Sequence, residues 1–375
     1  MKSIAALCIC MVMLPSVIFS KYKISGQVLD KVTNEPIPYV NVFFSNTTIG
    51  SMTNKDGTFT IDKIPNGFYK LVIQDIAHQI ITKPIQFPLP NNQQPDFTFY
   101  LTPRIIHMDS VLVEAKEPKL WKKLYKRFEK EFLGTTRYAS GCKILNPEVL
   151  DFEKVPESDG YCAHSDSILI VENRYLGYKV FIYLEYFKWS KSTHETVSFY
   201  PTNASASSLI KNGGNRFYCI YKVNSFFKEL EPHNNEEFLK WRENRQKLYK
   251  GSLRHFFSLL ASGKSDKNFS LSSYPLGTVE KENKLTRIKL NFLKSISFKD
   301  LKVTPVYDKN RLHFEDYLRI SYTQDHHFVS YLKLESQYVD IDSLGNYHSP
   351  LPVTLSGYWG RLRMAGLLPE DYYAE

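Results

Sequence analysis

Two stretches decide the fold: Ile24-Ser-Gly-Gln-Val-Leu-Asp30 and Asn54-Lys-Asp-Gly-Thr-Phe-Thr-Ile61. Both alternate apolar and polar residues, the two-residue period of a strand with one face in a core. Between them, Asn34-Glu-Pro-Ile-Pro38 breaks the chain, because neither proline donates to a central ladder. Val40, Val42 and Phe44 then fall on one face of a second strand, with Asn41 and Ser45 on the other. Asp56-Gly57 supplies the positive φ of a tight turn, and Phe59 and Ile61 return to the core face. Working outward, strands are predicted near 22–30, 39–46, 57–62, 68–75, 79–87, 96–101 and 110–114, a complete sandwich between Tyr22 and Ala115.

The ordered series Gly26, Val28, Asp30, Glu35-Pro-Ile-Pro38, Val40-Asn-Val42, Gly50, Thr53 and Asp56-Gly-x-Phe59 resembles the carboxypeptidase-regulatory-like domain. The resemblance implies a seven-stranded, transthyretin-like β-sandwich of the Bacteroidetes type, an accessory module with no catalytic residues of its own. It also implies an envelope setting, since such modules precede TonB-dependent receptors and secreted binding proteins. One position departs from the family: Ala77-His78 stands where Gly-Tyr is common. Leu101-Thr-Pro103 and Met108 to Val113 are similar to the segment that closes this module before a receptor plug, yet too few residues follow for a plug and large barrel.

Met1-Lys2 and the apolar run Ile4 to Phe19, ending in the small Ser20, read as a secretory signal over residues 1–20. The run is shorter than the ~20 residues of a spanning helix. Leu7 and Ile9 before Cys8 and Cys10 disfavour lipid attachment, which wants Gly or Ala there. Outside the signal stand Cys142, Cys162 and Cys219, an odd number. Export permits a Cys142–Cys162 bridge, and three buried thiols are the alternative. A net charge of +9 spread along 375 residues suits solubility or peripheral contact with an anionic membrane, and no motif supports nucleic acid.

The domain boundary is expected at 116/117, where Glu117-Pro118 opens a helix whose Leu120, Trp121, Leu124, Tyr125, Phe128 and Phe132 share one side. Lysines and Arg127 occupy the other side, which reads either as a membrane-surface helix or as a core-packed helix with a solvated face; Glu117, Glu129 and Glu131 favour the second. Residues 117–375 then read as a larger α+β domain. Strands are expected at 168–171, 178–187, 217–221, 286–290, 312–322, 328–334 and 338–341, with a loop at Asn212-Gly-Gly-Asn215. A helical stretch opens at Pro232-His-Asn-Asn-Glu-Glu237, breaks at Gly251 and stops at Gly263. Segments here, such as Tyr249-x-Gly-Ser252 with His255-Phe256, resemble secreted proteins carrying the same N-terminal module.

The chemistry to test is a zinc carboxypeptidase, because His233-Asn-Asn-Glu236 has the His-x-x-Glu spacing and His348 follows. A helix start, where Asn and Glu cap and complement the dipole, accounts for the same residues. Gly263-Lys-Ser265 ends like a phosphate loop but Ser258 occupies its first glycine position. Asp340-x-Asp342-x-x-Gly345 opens like a calcium loop, with Leu344 and Leu351 where ligands belong. Asp325-His-His327 reads as a polar hairpin tip, and His313 with Glu315 as a solvated strand face. Tyr317, Tyr322, Tyr331, Tyr338 and Tyr347 suit either carbohydrate or protein contacts, or a sandwich core. No catalytic residue, metal ligand or cofactor is assigned. The sequence predicts an exported, non-enzymatic binding or scaffolding protein of the periplasm or outer membrane, its partner an envelope protein or glycan. A zinc-dependent carboxypeptidase-like hydrolase and a small outer-membrane barrel are the alternatives.

Overall fold

The computed structural model describes residues 22–89, 96–104, 118–156, 158–165, 167–191, 217–274, 294–306, 309–315, 317–323, 328–348 and 353–374. The expected signal, the 110–114 and 286–290 strands, the 212–215 loop and Asp325 to His327 lie outside these residues.

The first seven strands are β1 (Tyr22–Asp30), β2 (Asn41–Phe44), β3 (Gly50–Met52), β4 (Thr58–Ile64), β5 (Gly67–Gln74), β6 (Ile81–Phe87) and β7 (Asp96–Leu101). They form two sheets, β4-β1-β7 and β3-β2-β5-β6. The sheets close over Ile24, Val28, Val42, Phe44, Ile61 and Leu71, each at most 2% exposed. Every such side chain contributes about 1.5–3 kcal/mol on leaving water. The expected 39–46 strand is shorter, and its continuation turns back as β3, a strand the periodicity did not reveal because Gly50-Ser-Met52 carries no apolar alternation. Gly57 has φ +69°, as the Asp56-Gly57 turn requires. Buried Thr53 accounts for its place in the motif series: its hydroxyl accepts from Val40 N–H at 2.8 Å and donates to the Ile37 carbonyl at 2.8 Å.

Helix α1 (Pro118–Leu133) follows. Leu124, Phe128 and Phe132 recur every four residues and are buried, so the apolar stripe packs inward and the lysines face outward, whereas Leu120, expected on the same side, stays exposed in the first turn. Phe128 meets Phe187 edge-on at 5.4 Å, and Trp121 donates from Nε1 to the Leu150 carbonyl at 3.1 Å. The sheet beneath it contains β8 (Cys142–Ile144), β9 (Leu150–Lys154), β10 (Tyr161–Ser165), β11 (Leu169–Asn173), β12 (Tyr178–Lys191) and β13 (Phe217–Glu229). Its order is β8-β11-β12-β10-β9, with β13 along the other edge of β12.

Two helices come next, α2 (Asn235–Tyr249) and α3 (Leu253–Ala261). Asn234 caps α2 by accepting from Glu237 N–H at 2.9 Å, and Ser252 caps α3 by accepting from His255 N–H at 3.1 Å. The last strands are β14 (Phe269–Tyr274), β15 (Lys294–Ile296), β16 (Lys302–Val306), β17 (Lys309–His313), β18 (Tyr317–Tyr322), β19 (Phe328–Leu334), β20 (Val339–Ile341), β21 (Tyr347–His348) and β22 (Val353–Ser356), before α4 (Gly357–Leu362). They build sheets β15-β14-β18-β19-β22 and β16-β17-β20-β21. The single strand expected over 312–322 is therefore two strands in different sheets, β17 pairing β16 and β20 while β18 pairs β14 and β19. One hydrophobic cluster runs from Leu124 to Ala365, and a separate one fills the sandwich.

A third, small cluster joins the two. Phe43 and Val72, on the outer face of the β3-β2-β5-β6 sheet, pack on Tyr183 with Phe226 against them. The β2–β3 turn then continues the β13 edge: Asn46 N–H donates to the Ser225 carbonyl at 2.6 Å, and Phe227 N–H to the Thr47 carbonyl at 2.9 Å.

Candidate functional site

Helix α2 buries a single stripe, Trp241, Asn244, Arg245 and Leu248, at the i, i+3, i+4, i+7 spacing of one helix face. That stripe grips the β11–β12 turn through four successive carbonyls. Trp241 Nε1 donates to Arg174 O at 2.8 Å and Asn244 Nδ2 to Tyr175 O at 2.8 Å. Arg245 donates from Nε to Leu176 O at 2.7 Å and from Nη2 to Gly177 O at 3.2 Å. Gly177 permits the approach: φ is +73°, and a Cβ there would stand 2.3 Å from Trp241. Arg245 also pairs with Glu229 at 2.6 Å and lies 4.0 Å over the Tyr178 ring.

Opposite α2 runs the C-terminal segment Pro369 to Tyr373, held as a strap. The Arg254 guanidinium of α3 donates to three of its carbonyls, Pro369 at 2.7 Å, Glu370 at 2.9 Å and Tyr372 at 3.1 Å. The sandwich holds its other side. Asn46 Nδ2 donates to Glu370 Oε1 at 3.1 Å, and Glu370 N–H donates to Asn46 O at 2.7 Å. Thr48 donates to the Asp371 carboxylate from N–H at 2.9 Å and from its hydroxyl.

Beneath the strap Asp342 is buried, and Glu370, on the strap, is half-buried beside it. Asp342 accepts from Leu344 N–H and Asn346 N–H, both at 2.9 Å, yet burial pushes its carboxyl up. Asn346 donates to Asp342 and to the Glu370 carbonyl, at 3.1 Å each. Burial pushes Glu370 up to about 7, opposed by the Asn46 hydrogen bond and by Arg254, and reinforced by Asp342. The Tyr69 hydroxyl, also raised by burial and by the neighbouring acids, reaches this region from β5 without a hydrogen-bond partner.

Between α2 and the strap opens a cleft of about 530 Å³. Phe238, Leu239 and Tyr373 line it and keep 38%, 52% and 50% of their surface exposed. Its polar walls mix both signs, with Arg242 and Arg245 against Glu229, Glu243 and Asp371. A second, more open cleft of about 600 Å³ lies on the other flank of α2, lined by Tyr175, His233, Glu236, Lys240 and Trp241. Concave junctions with aromatic walls and a few fixed polar groups are where small ligands and chain segments are held.

The residues singled out from sequence fall mostly elsewhere. His233 pairs with Glu237, not Glu236: its Nδ1 and its N–H both meet Glu237 Oε2 at 2.8 Å, as a helix-start bracket does. His348 pairs through its backbone with Asp340, and among the described residues no three His, Cys, Asp or Glu side chains converge to hold a metal. Gly263, Lys264 and Ser265 follow the end of α3, whereas a phosphate loop opens a helix. Asp340 forms a two-pronged pair with Arg311, and Asp342 closes the β20–β21 turn. His313 ends β17, and Glu315 lies just beyond the strand, 3.9 Å from it and exposed. Of the five tyrosines, Tyr322 is buried, and Tyr317, Tyr331, Tyr338 and Tyr347 are half-buried. Cys142, Cys162 and Cys219 are free thiols. His78, at the position that departs from the family, bridges Asp75 at 2.5 Å and Asp30 at 3.1 Å, tying the 75–78 loop to the end of β1. Glu370, Asp371, Arg254 and Asn46 went unmarked, because their contacts join segments up to 324 positions apart. No described helix is long and apolar enough to cross a membrane.

Residues 24–113 match the CarboxypepD_reg-like domain, in agreement with the motif series. No curated protein matches the chain. Among solved structures, a DUF3823 family protein from Bacteroides ovatus is 10% identical, with 86% of this chain and 99% of that one covered and a TM-score of 0.18. A candidate carbohydrate-binding protein from Bacteroides uniformis is 8% identical, with 89% and 97% covered and a TM-score of 0.17. At such TM-scores neither superposes as a whole, and neither name is carried to this chain.

Proposed function

We propose that the protein is an exported, non-enzymatic envelope protein that binds or scaffolds, holding its partner in the cleft between α2 and the strap. The observation that carries this reading is the cleft itself, built where the sandwich turn, the strap and α2 meet. Phe238, Leu239 and Tyr373 offer apolar contact at its rim. Arg245 and Asp371 are already engaged, with Glu229 and with Thr48. They are held in place as fixed recognition groups. The apolar run read as a signal over 1–20 and the match to the regulatory-like module support an envelope location. In this reading residues 21–116 are the module and 117–375 the domain that carries the cleft. The partner is an envelope protein or a glycan.

The test is capture from envelope extract by the full-length chain, beside the double variant Phe238→Ala/Leu239→Ser. Both side chains are exposed enough to change without opening the core. The expected result is a partner retained by the wild type, lost with the variant, and then titrated directly to the same difference. A partner retained equally by both would remove the cleft from the function. Elution by protease or by glycan-cleaving enzymes separates the two partner classes.

A further inference from the structure

Glu370 sits where the sandwich, α3, the β20–β21 turn and the strap meet. Its carboxyl accepts from Asn46, whose own N–H anchors the sandwich turn to β13. Arg254, whose charge acts on this carboxyl, is turned onto main-chain carbonyls. The other charged and titratable groups facing the carboxyl come from each packed element. Lys70 and Tyr69 stand on β5, Asp342 in the β20–β21 turn, Tyr347 on β21 and Asp371 beside it on the strap. Lys70 is itself desolvated, which pushes its ammonium down, and the Glu185–Lys222 pair lies beyond it. Among the described residues no lysine or arginine forms an ion pair with Glu370. An ionised Glu370 thus faces Asp342 with only the through-space pull of Arg254 and Lys70, while a neutral one keeps the Asn46 contact without that repulsion.

We infer that Glu370 is a proton-operated latch, closing the sandwich onto the rest of the chain when neutral and loosening that junction when ionised. The latch is independent of the partner's identity. It reaches the cleft nonetheless, because the next residue, Asp371, is the strap's hold on Thr48 and part of the cleft wall.

The sign follows from linkage. The docked carboxyl sits at about 7 against an ordinary 4.5, so the docked state holds a proton that the undocked state releases. Docking is strongest below the lower value and weakens as pH rises through the upper one, by at most about tenfold per pH unit. Asp342, raised in the same direction, adds to the trend.

Hydrogen exchange of the full-length chain tests this, read at Asn46 and Phe227 N–H, two of the amides that bridge the junction. After correction for intrinsic exchange, their protection should fall several-fold to tenfold per unit between about pH 5 and 7. Glu370→Gln, which keeps the Asn46 contact, should lose most of that slope. Wild-type protection that stays level, or a variant with the wild-type slope, overturns the latch. If the variant does not fold, a carboxyl-carbon titration of Glu370 decides: a midpoint near 7 supports the latch, and one near the ordinary value refutes it.

Discussion

Phe43 of the sandwich and Tyr183 of β12 stack with ring centroids 5.3 Å apart and planes 21° apart. Phe226 meets Phe43 edge-on at 5.5 Å from the other side. The junction is thus an aromatic contact first, with the polar bonds of Asn46 and Thr48 around it.

Phe43→Ala should lower the stability of the full chain by about 3 kcal/mol, the usual scale for removing a buried ring. Tyr183→Ala should add little on top of it, since both remove one contact. Denaturant midpoints of the two single variants and the double variant measure this; full additivity would mean the rings do not act together.

Residues 21–116 alone should unfold in one cooperative transition, because the sandwich cluster from Ile24 to Leu101 is closed within itself. The isolated fragment would expose Phe43 and Val72, so Phe43→Ser should raise its solubility. A fragment with no transition would make the sandwich dependent on the junction.

Gly57→Val should cost the sandwich more than about 1 kcal/mol. The position combines φ +69° with a Cβ that would stand 2.7 Å from the Val28 carbonyl oxygen. An unchanged midpoint would mean that the turn relaxes without loss.

At the start of α2, Asn234→Ala should cost about 1 kcal/mol, and His233→Ala with Glu236→Ala about 1 kcal/mol or less. Elemental analysis should find no stoichiometric zinc in the wild type, and peptides should keep their C-termini. Zinc that disappears with the double variant, together with trimming by the wild type alone, would establish the peptidase instead.

Cys142 is pushed up to about 12 and Cys219 up to about 11, both by burial. Thiol reagents at about pH 8 should therefore label Cys142, Cys162 and Cys219 slowly in the folded chain and fully once denaturant is added. Two thiols missing from the denatured count would reveal the Cys142–Cys162 bridge.

Sequence alone determined what local periodicity encodes. The sandwich strands, the Asp56-Gly57 turn, the inward stripe of α1 and the cap at Asn234 each depend on residues within a few positions of one another. The β2 segment shows where that ends. Val42 and Phe44 alternate onto the sandwich core as read, but Phe43 and Ser45, on the face that alternation assigns to solvent, are 3% and 2% exposed. What covers them is β12 and β13, brought there by the fold. The same holds for the polar C-terminus, whose Glu370 and Asp371 look like a solvated tail until Arg254, Asn46 and Thr48 converge on them. Burial on a strand face follows from the chain's own pattern, whereas desolvation of a carboxylate is set by distant segments, so only the tertiary structure decided the junction, the cleft and the latch.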